Sequence, residues 1–397
     1  MSSRETVILP LQTEGTPYFY KKESLIELKK ELEEFLSGPG KYMDDRDAAE
    51  RFLGCQEIQA NNSIEGYNDD ASTIRSVIAD AYCKKVPEKR RKIINNLYQG
   101  YQKILRGEPI NENTLKELYD VLSNGLLADY DLANMGRFYR NGEVEINFSG
   151  VLNDDEDYII GSTRMGKYKD YGVAPEAVSR YMDSLFLFLD DDSDLETPTD
   201  YFIKSQIAHH YFVYVHPYFD VNGRTGRTMS MWYLLNSEAY PYIIFNRAIP
   251  LFKRNYNQAI RDTKKFKNMT FFLNYMLSNV KTELEKEYAI SSIESTLSEP
   301  LDDTEYQTLR YVLSMNGLRT SKDFASFYNR LNDKKGYSYI DEHMIEPLID
   351  KDVLTVVRHT RKGLDGKRSN YVFEINPNRV DSDPGVIKRL HLQKSML

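Results

Sequence analysis

Apolar residues recur three and four positions apart along most of this chain, the spacing that places them on one side of an α-helix. Residues 24–36 carry Leu25, Leu28, Leu32 and Phe35 in such a stripe, closed by Gly38-Pro39-Gly40. The same pattern predicts helices over 48–66, 74–82, 93–105, 113–122 and 181–189. Ile203, Ile207, Tyr211 and Tyr214 predict a buried helix that stops ahead of Pro217, because proline disfavours α geometry in the residue before it. Met229, Trp232, Tyr233 and Leu235 predict another over 224–237. Period-two alternation is scarce. It occurs at Val144 and Ile146, just after the tight-turn pair Asn141-Gly142, and predicts a β-hairpin.

The last third reads as a separate unit. Residues 281–299 are polar and Ser-rich, end at Pro300, and suggest a linker. Helical patterns follow over 304–315, 321–331 and 341–349, then two strand-like runs around Asp365-Gly366. Three helices and a hairpin describe a winged-helix (α+β) module. The expected organisation is a helical region over 1–110, a core over 111–285, a linker over 286–300, the module over 301–376 and a tail over 377–397.

Candidate chemistry concentrates between the two central helices. His216 to Arg227 reads HPYFDVNGRTGR. A loop here feeds a helix N-terminus, where free backbone N–H groups and the helix dipole favour an anion. Arg224 and Arg227, three apart, share one face of the first helical turns and can grip phosphate oxygens. Asn222 and Gly223 suit a tight backbone. The imidazole of His216 titrates near neutral pH and can take a proton from a hydroxyl as that oxygen attacks phosphorus. Asp220 is a hard oxygen donor suited to Mg²⁺ bridging phosphates. A helix-capping histidine beside surface arginines is the plainer reading. It does not account for five chemically matched partners within twelve residues.

This stretch resembles the signature of the Fic family, His-Pro-Phe-x-(Asp/Glu)-Gly-Asn-Gly-Arg-x-x-Arg. Tyr218 stands where Phe is usual, and Val221 where the first Gly is usual. The resemblance implies a mostly α fold with a Fic-like helical core and a β-hairpin flap. It implies AMP transfer from ATP, with Mg²⁺, to a Ser, Thr or Tyr hydroxyl of a protein, the chain itself included. His216 would be the base, Asp220 the metal ligand, and Asn222, Gly223, Arg224 and Arg227 the phosphate-binding residues. Two further segments fit. Asn61 to Gly66, NNSIEG, resembles the end of the family's inhibitory helix, (Ser/Thr)-x-x-x-Glu-(Gly/Asn), with Asn61 at the Ser/Thr position. By that resemblance Glu65 pairs with Arg227 and blocks the γ-phosphate. Gly136 to Ile146 resembles the family's Gly-x-x-Tyr-Arg stretch, whose flap docks the target segment by strand addition; Val144 and Ile146 would serve here. TFFL at Thr270 to Leu273 resembles an aromatic segment near the end of the family core, and Lys253 to Tyr256 a degraded form of the element before it.

Composition narrows the alternatives. A chain of 397 residues, 41% hydrophobic and 28% charged, is globular. No apolar run is long enough for a signal peptide or a membrane span, and only Cys55 and Cys83 occur, so a cytoplasmic protein is expected, both thiols in buried helices. Adjacent His209 and His210 lack the spacing of a helical metal pair and are expected to pack. The acidic run Asp190, Asp191, Asp192, Asp194 reads as a solvated loop. Gly161 to Lys167, GSTRMGK, mimics a P-loop, but Tyr168 replaces its Ser/Thr and no helical pattern follows, so it is assigned to the flap.

Residues 301–397 carry a net charge of +2 against −10 for the rest, with Arg358, Arg361, Lys362, Lys367 and Arg368 on the predicted wing. DNA contact through the module is therefore an expectation beside protein contact, and a homodimer is left open. The leading function is protein AMPylation restrained by Glu65. One rival is a DNA-binding transcriptional regulator whose degenerate core senses nucleotide, a reading that Val221 favours. The other is removal of AMP through the same site, with Glu65 orienting water.

Overall fold

The computed structural model describes residues 6–38, 46, 53–151, 166–315, 319–332, 334–362 and 368–379. The chain is mostly α, with small sheets only among the described residues. A short hairpin, β1 (Thr6–Ile8) and β2 (Phe19–Lys21), straps the N-terminus onto the core, and α1 (Ile26–Ser37) follows. Then come α2 (Cys55–Ile64), α3 (Ala71–Ala79), α4 (Glu88–Ile104), α5 (Glu112–Ser123) and α6 (Asp129–Asn134). After the flap the helices are α7 (Val178–Asp190), α8 (Pro198–Val215), α9 (Asn222–Asn236), α10 (Lys253–Phe266) and α11 (Thr270–Glu294).

Helix α8 is the axis of the core. Every residue from Phe202 to Val215 is buried, as expected of a helix surrounded by others. Its start is fixed by Pro198 in the first turn and by a reciprocal bond pair between Thr197 and Asp200. Its end falls at His216, which turns left-handed (φ 53°) ahead of Pro217. The predicted lead-in helix and the next, α9, both form. A 3-10 stretch over Tyr240–Phe252 was not signalled by any periodicity.

The flap is β3 (Glu145–Val151) paired antiparallel with β4 (Gly166–Tyr171), Ile146 opposite Asp170. Asn141-Gly142 is not its turn. That pair lies in a bend before β3, where Asn141 N–H bonds the Asn134 carbonyl at 3.0 Å. The strands connect through 152–165, outside the described residues, which hold most of the GSTRMGK segment. Gly166 and Lys167 begin β4, a strand where a P-loop demands a helix.

The expected linker at 286–300 is the main correction to the organisation. Helix α11 runs unbroken to Glu294, and its Ala289, Ile290 and Ile293 belong to the core of the C-terminal module. The polar residues that suggested a linker are buried and paired. Glu283 bonds Arg310 at 2.5 Å and Lys286 at 2.8 Å, and Glu287 bonds Arg247 at 2.9 Å. The module itself comprises α12 (Asp303–Ser314), β5 (Arg319–Thr320), α13 (Ser321–Leu331) and α14 (Tyr337–Ile340), which continues through a π-helical turn into α15 (Glu346–Asp350). Strands β6 (Leu354–Lys362) and β7 (Arg368–Ile375) close it, in the sheet order β5-β7-β6. Residues 363–367 between these strands and the tail from 380 lie outside the described residues.

His209 and His210 pack as expected, both wholly buried, with His209 bonded to Gln206 and Tyr256 and His210 to the Ile260 carbonyl. Asp192 of the acidic run is not merely solvated, since Lys204 and Tyr233 both bond it. The two cysteines are free and half-buried, and Cys83 sits in a turn rather than a helix.

Candidate active site

The loop from His216 to Val221 connects α8 to α9 and is tied down at several points. Asn222, 2% exposed, accepts from the Tyr218 N–H at 3.0 Å and donates to the Tyr218 carbonyl at 2.7 Å. Its side chain therefore closes the loop, and what it can offer a phosphate is its backbone N–H. The Tyr218 ring fills the position where Phe is usual and stacks on Tyr119, centroids 3.6 Å apart.

His216 is presented to the site by its surroundings. Its Nδ1 lies 3.2 Å from the Val213 carbonyl, which can only accept, so the proton sits on Nδ1 and the lone pair on Nε2. Burial pushes the imidazole down to about 4 against the pull of that carbonyl, with Arg140 and Lys264 adding to the depression. The ring is neutral at physiological pH. Arg140 went unassigned in the sequence although it lies in the Gly-x-x-Tyr-Arg stretch. Buried to 1% exposure, it bonds the His216 carbonyl at 2.8 Å, the Gly142 carbonyl at 2.6 Å and the Val173 carbonyl, joining the histidine loop to both sides of the flap.

Arg224 and Arg227 are 7% and 2% exposed, so both guanidinium groups face inward. Arg227 donates to Asn61 Oδ1 from Nε at 2.9 Å and from Nη2 at 2.8 Å, and Nη2 also reaches Glu65 Oε1 at 2.5 Å. Glu65, 162 residues earlier, thus meets Arg227, the second arginine of α9. It sits where the helix begins: a Cβ on Gly223 would come within 2.7 Å of Glu65 Oε1. Burial alone would raise this carboxyl, yet Arg227 and then Arg224 outweigh it and hold it below its ordinary value. The carboxylate is ionised at neutral pH, and its contact with the arginines weakens only as pH falls through that depressed value. Arg224 leans over the Tyr67 ring, and its Nε has no hydrogen-bond partner among the described residues, a donor ready for an anion. Lys253 and Tyr256 complete the basic side. Tyr256 bonds Arg227 and Lys253 lies within electrostatic reach of Glu65, so the degraded element does reach the site.

Asp220 is exposed, with Oδ1 accepting the Val221 N–H at 2.6 Å. A single accessible carboxylate suits Mg²⁺, which keeps several waters and shares phosphate oxygens. On the flap, Ile146 is 7% exposed and packs into the core, so its side chain is not available to a docked segment. Val144 lies just before β3, its carbonyl accepting from Gly172.

Val221 adopts φ 64°, a conformation costly for a β-branched residue, about 1–2 kcal/mol. Burial of its side chain to 4% exposure offsets that cost by a similar amount, about 1.5–3 kcal/mol. Val221→Gly should therefore leave stability nearly unchanged. Val221→Ala keeps the strain and loses most of the packing, so it should destabilise by about 1–2 kcal/mol. Thermal unfolding of the three proteins checks this order, and an alanine variant as stable as the glycine variant would rule it out.

Residues 109–234 match the Fic/DOC family, a span that holds the flap, α8, the loop and most of α9. The chain thus contains a Fic/DOC family domain. It is similar in fold to a Fic family protein from Desulfovibrio desulfuricans G20, with a TM-score of 0.52 and 17% identity over 94% of this chain and 99% of that one. It is also similar to Fic-1 from C. elegans, 15% identical over 69% of this chain and 72% of that one, TM-score 0.47. A Fic domain containing signaling protein from Bacteroides thetaiotaomicron VPI-5482 gives 15% identity over 66% of this chain and 96% of that one, TM-score 0.40. Members of the family commonly transfer AMP onto proteins. Among the described residues no helix is long and apolar enough to cross a membrane.

Proposed function

We propose that this protein transfers AMP from ATP to a hydroxyl group of a protein, and that Glu65 restrains the reaction. The supporting observation is the Glu65 carboxylate resting on Arg227 and over Gly223 at the start of α9, an anion already held where a phosphate would bind. In this reading the target oxygen attacks the α-phosphorus as its proton passes to His216 Nε2. The bond from that phosphorus to the bridging oxygen breaks, and pyrophosphate leaves. Arg224, Arg227 and the backbone N–H groups of Asn222 and Gly223 hold the phosphate oxygens, and Asn222 keeps the loop closed around them. Asp220 would hold Mg²⁺, which when bound neutralises phosphate charge. With Glu65 on Arg227, the γ-phosphate loses its best cation and ATP settles out of line for attack.

The three helices and the β5-β7-β6 sheet of the C-terminal module support the winged-helix reading. The side chains of the basic hairpin lie outside the described residues, so no described contact surface supports the DNA-binding rival.

Arg224→Ala is expected to weaken ATP binding about tenfold or more, because a buried charge-assisted contact is lost. Asp220→Ala should instead raise the Mg²⁺ concentration needed for activity. Calorimetry with Mg-ATP separates them. Parent-like binding by Arg224→Ala, together with parent-like Mg²⁺ dependence in Asp220→Ala, would remove these residues from the nucleotide site.

A further inference from the structure

Helix α2, which carries the restraint, is wedged between two bodies. Its Glu57, Asn61 and Glu65 follow one another every four residues and face the Fic core. There Glu57 pairs with Arg247 at 3.3 Å, and Asn61 and Glu65 hold Arg227. Gln59 lies about 200° away around the helix and faces the C-terminal module. Its Nε2 donates to Asn332 Oδ1 at 2.9 Å and to the Asp69 carbonyl at 2.9 Å, and its Oε1 accepts from Gln307. The module grips the neighbouring residues too, with Lys335 on Asp70 at 2.8 Å and Asp303 on Arg75. Arg247, the partner of Glu57, is itself held from this side: Tyr306 bonds it at 3.2 Å and Arg310 donates to its carbonyl at 2.8 Å.

This helix does not hold itself. It spans ten residues, reads CQEIQANNSI, and has no N-terminal side-chain cap. A helix of that length and composition is marginal by itself. Asn62 is wholly buried, yet neither polar atom of its side chain has a hydrogen-bond partner among the described residues, which penalises the seated state. The seat therefore depends on contacts from both flanks, and one flank is the module.

We propose that the C-terminal module clamps the inhibitory helix in place, so that loosening the Gln59–Gln307–Asn332 contact releases Glu65 from Arg227 and raises AMP transfer. This rests on the function proposed above. The module's contacts to Gln59 lie on the side of α2 away from Arg227, so through Gln59 it acts on the arginine by way of the helix. A partner or ligand that shifts the module is thereby sensed at the nucleotide site.

The test uses the full chain with Gln307→Ala, and with Gln307→Ala combined with Asn332→Ala. Lys335→Ala serves as a milder variant should the double variant fold poorly. Self-modification with ATP and Mg²⁺ should rise by roughly fivefold for the loss of one buried hydrogen-bonding partner. Hydrogen exchange of the amides of 57–66 should quicken while those of α8 stay unchanged, which also certifies the fold. Glu65→Gly is measured alongside. Activation by Glu65→Gly with no activation by the module variants, or unchanged exchange over 57–66, overturns the clamp but leaves the restraint intact. No activation by Glu65→Gly removes the restraint itself, and the clamp with it.

Discussion

In the His216→Ala variant, AMP transfer is expected to fall by roughly 10²–10⁴, the contribution of a positioned general base. ATP should still bind, because in this reading the imidazole serves the attacking hydroxyl and the phosphate ligands lie on the first turns of α9. The geometry adds a second expectation. The neutral tautomer is set by Nδ1 against the Val213 carbonyl, and burial holds the ring down to about 4. Protonation would remove the lone pair, so activity is lost as pH falls through that value. The acid limb of kcat/KM, which reports the free enzyme, should thus lie near 4 and well below the 6.5 of an ordinary histidine. Transfer by His216→Ala at the parent's rate, or an acid limb unaltered in that variant, would remove His216 from the chemistry.

Glu65→Gly should have the opposite effect and raise self-modification well above the parent, on the order of tenfold or more for freeing a buried arginine. The carboxylate is removed from Arg227 Nη2 and from the space over Gly223, so the γ-phosphate can take its place. Asn61 remains, and its Oδ1 still accepts from Arg227 Nε and Nη2, which keeps the guanidinium oriented. The proposed restraint would thus be divided between a charge that blocks and an amide that positions. Intact-mass spectrometry after incubation with ATP and Mg²⁺ measures the change. Reduced activity in Glu65→Gly would favour AMP removal, with Glu65 orienting water.

The candidate site was legible because it is local. Twelve consecutive residues hold the proposed base, the proposed metal ligand and both arginines, and Pro217 marks where α8 must stop. Glu65 was legible as a short pattern, although its distance from Arg227 in the chain hid the contact. Asn61 looked like a defect in that pattern and proves to be a ligand of Arg227, because an amide oxygen can accept two guanidinium bonds where a hydroxyl is usual. Val221 stands where the family has glycine, and the loop there keeps a left-handed backbone that glycine adopts freely. Arg140 was missed because its partners are backbone carbonyls, which leave no trace in side-chain pattern. The linker was misjudged for a related reason. Glu283, Lys286 and Glu287 look solvated in sequence, and only their pairing with Arg310 and Arg247 allows a helix to carry them through a buried interface. The separate module expected from that linker instead shares α11 with the core.

The most direct measurement is the fate of label from ATP in the Glu65→Gly chain, with ATP labelled at the α-phosphate in one arm and at the γ-phosphate in the other. AMP transfer through His216 predicts that α-label becomes covalently attached to protein and that γ-label is released as pyrophosphate, with both lost on adding His216→Ala. Covalent γ-label, or no covalent label in either arm, would contradict the account.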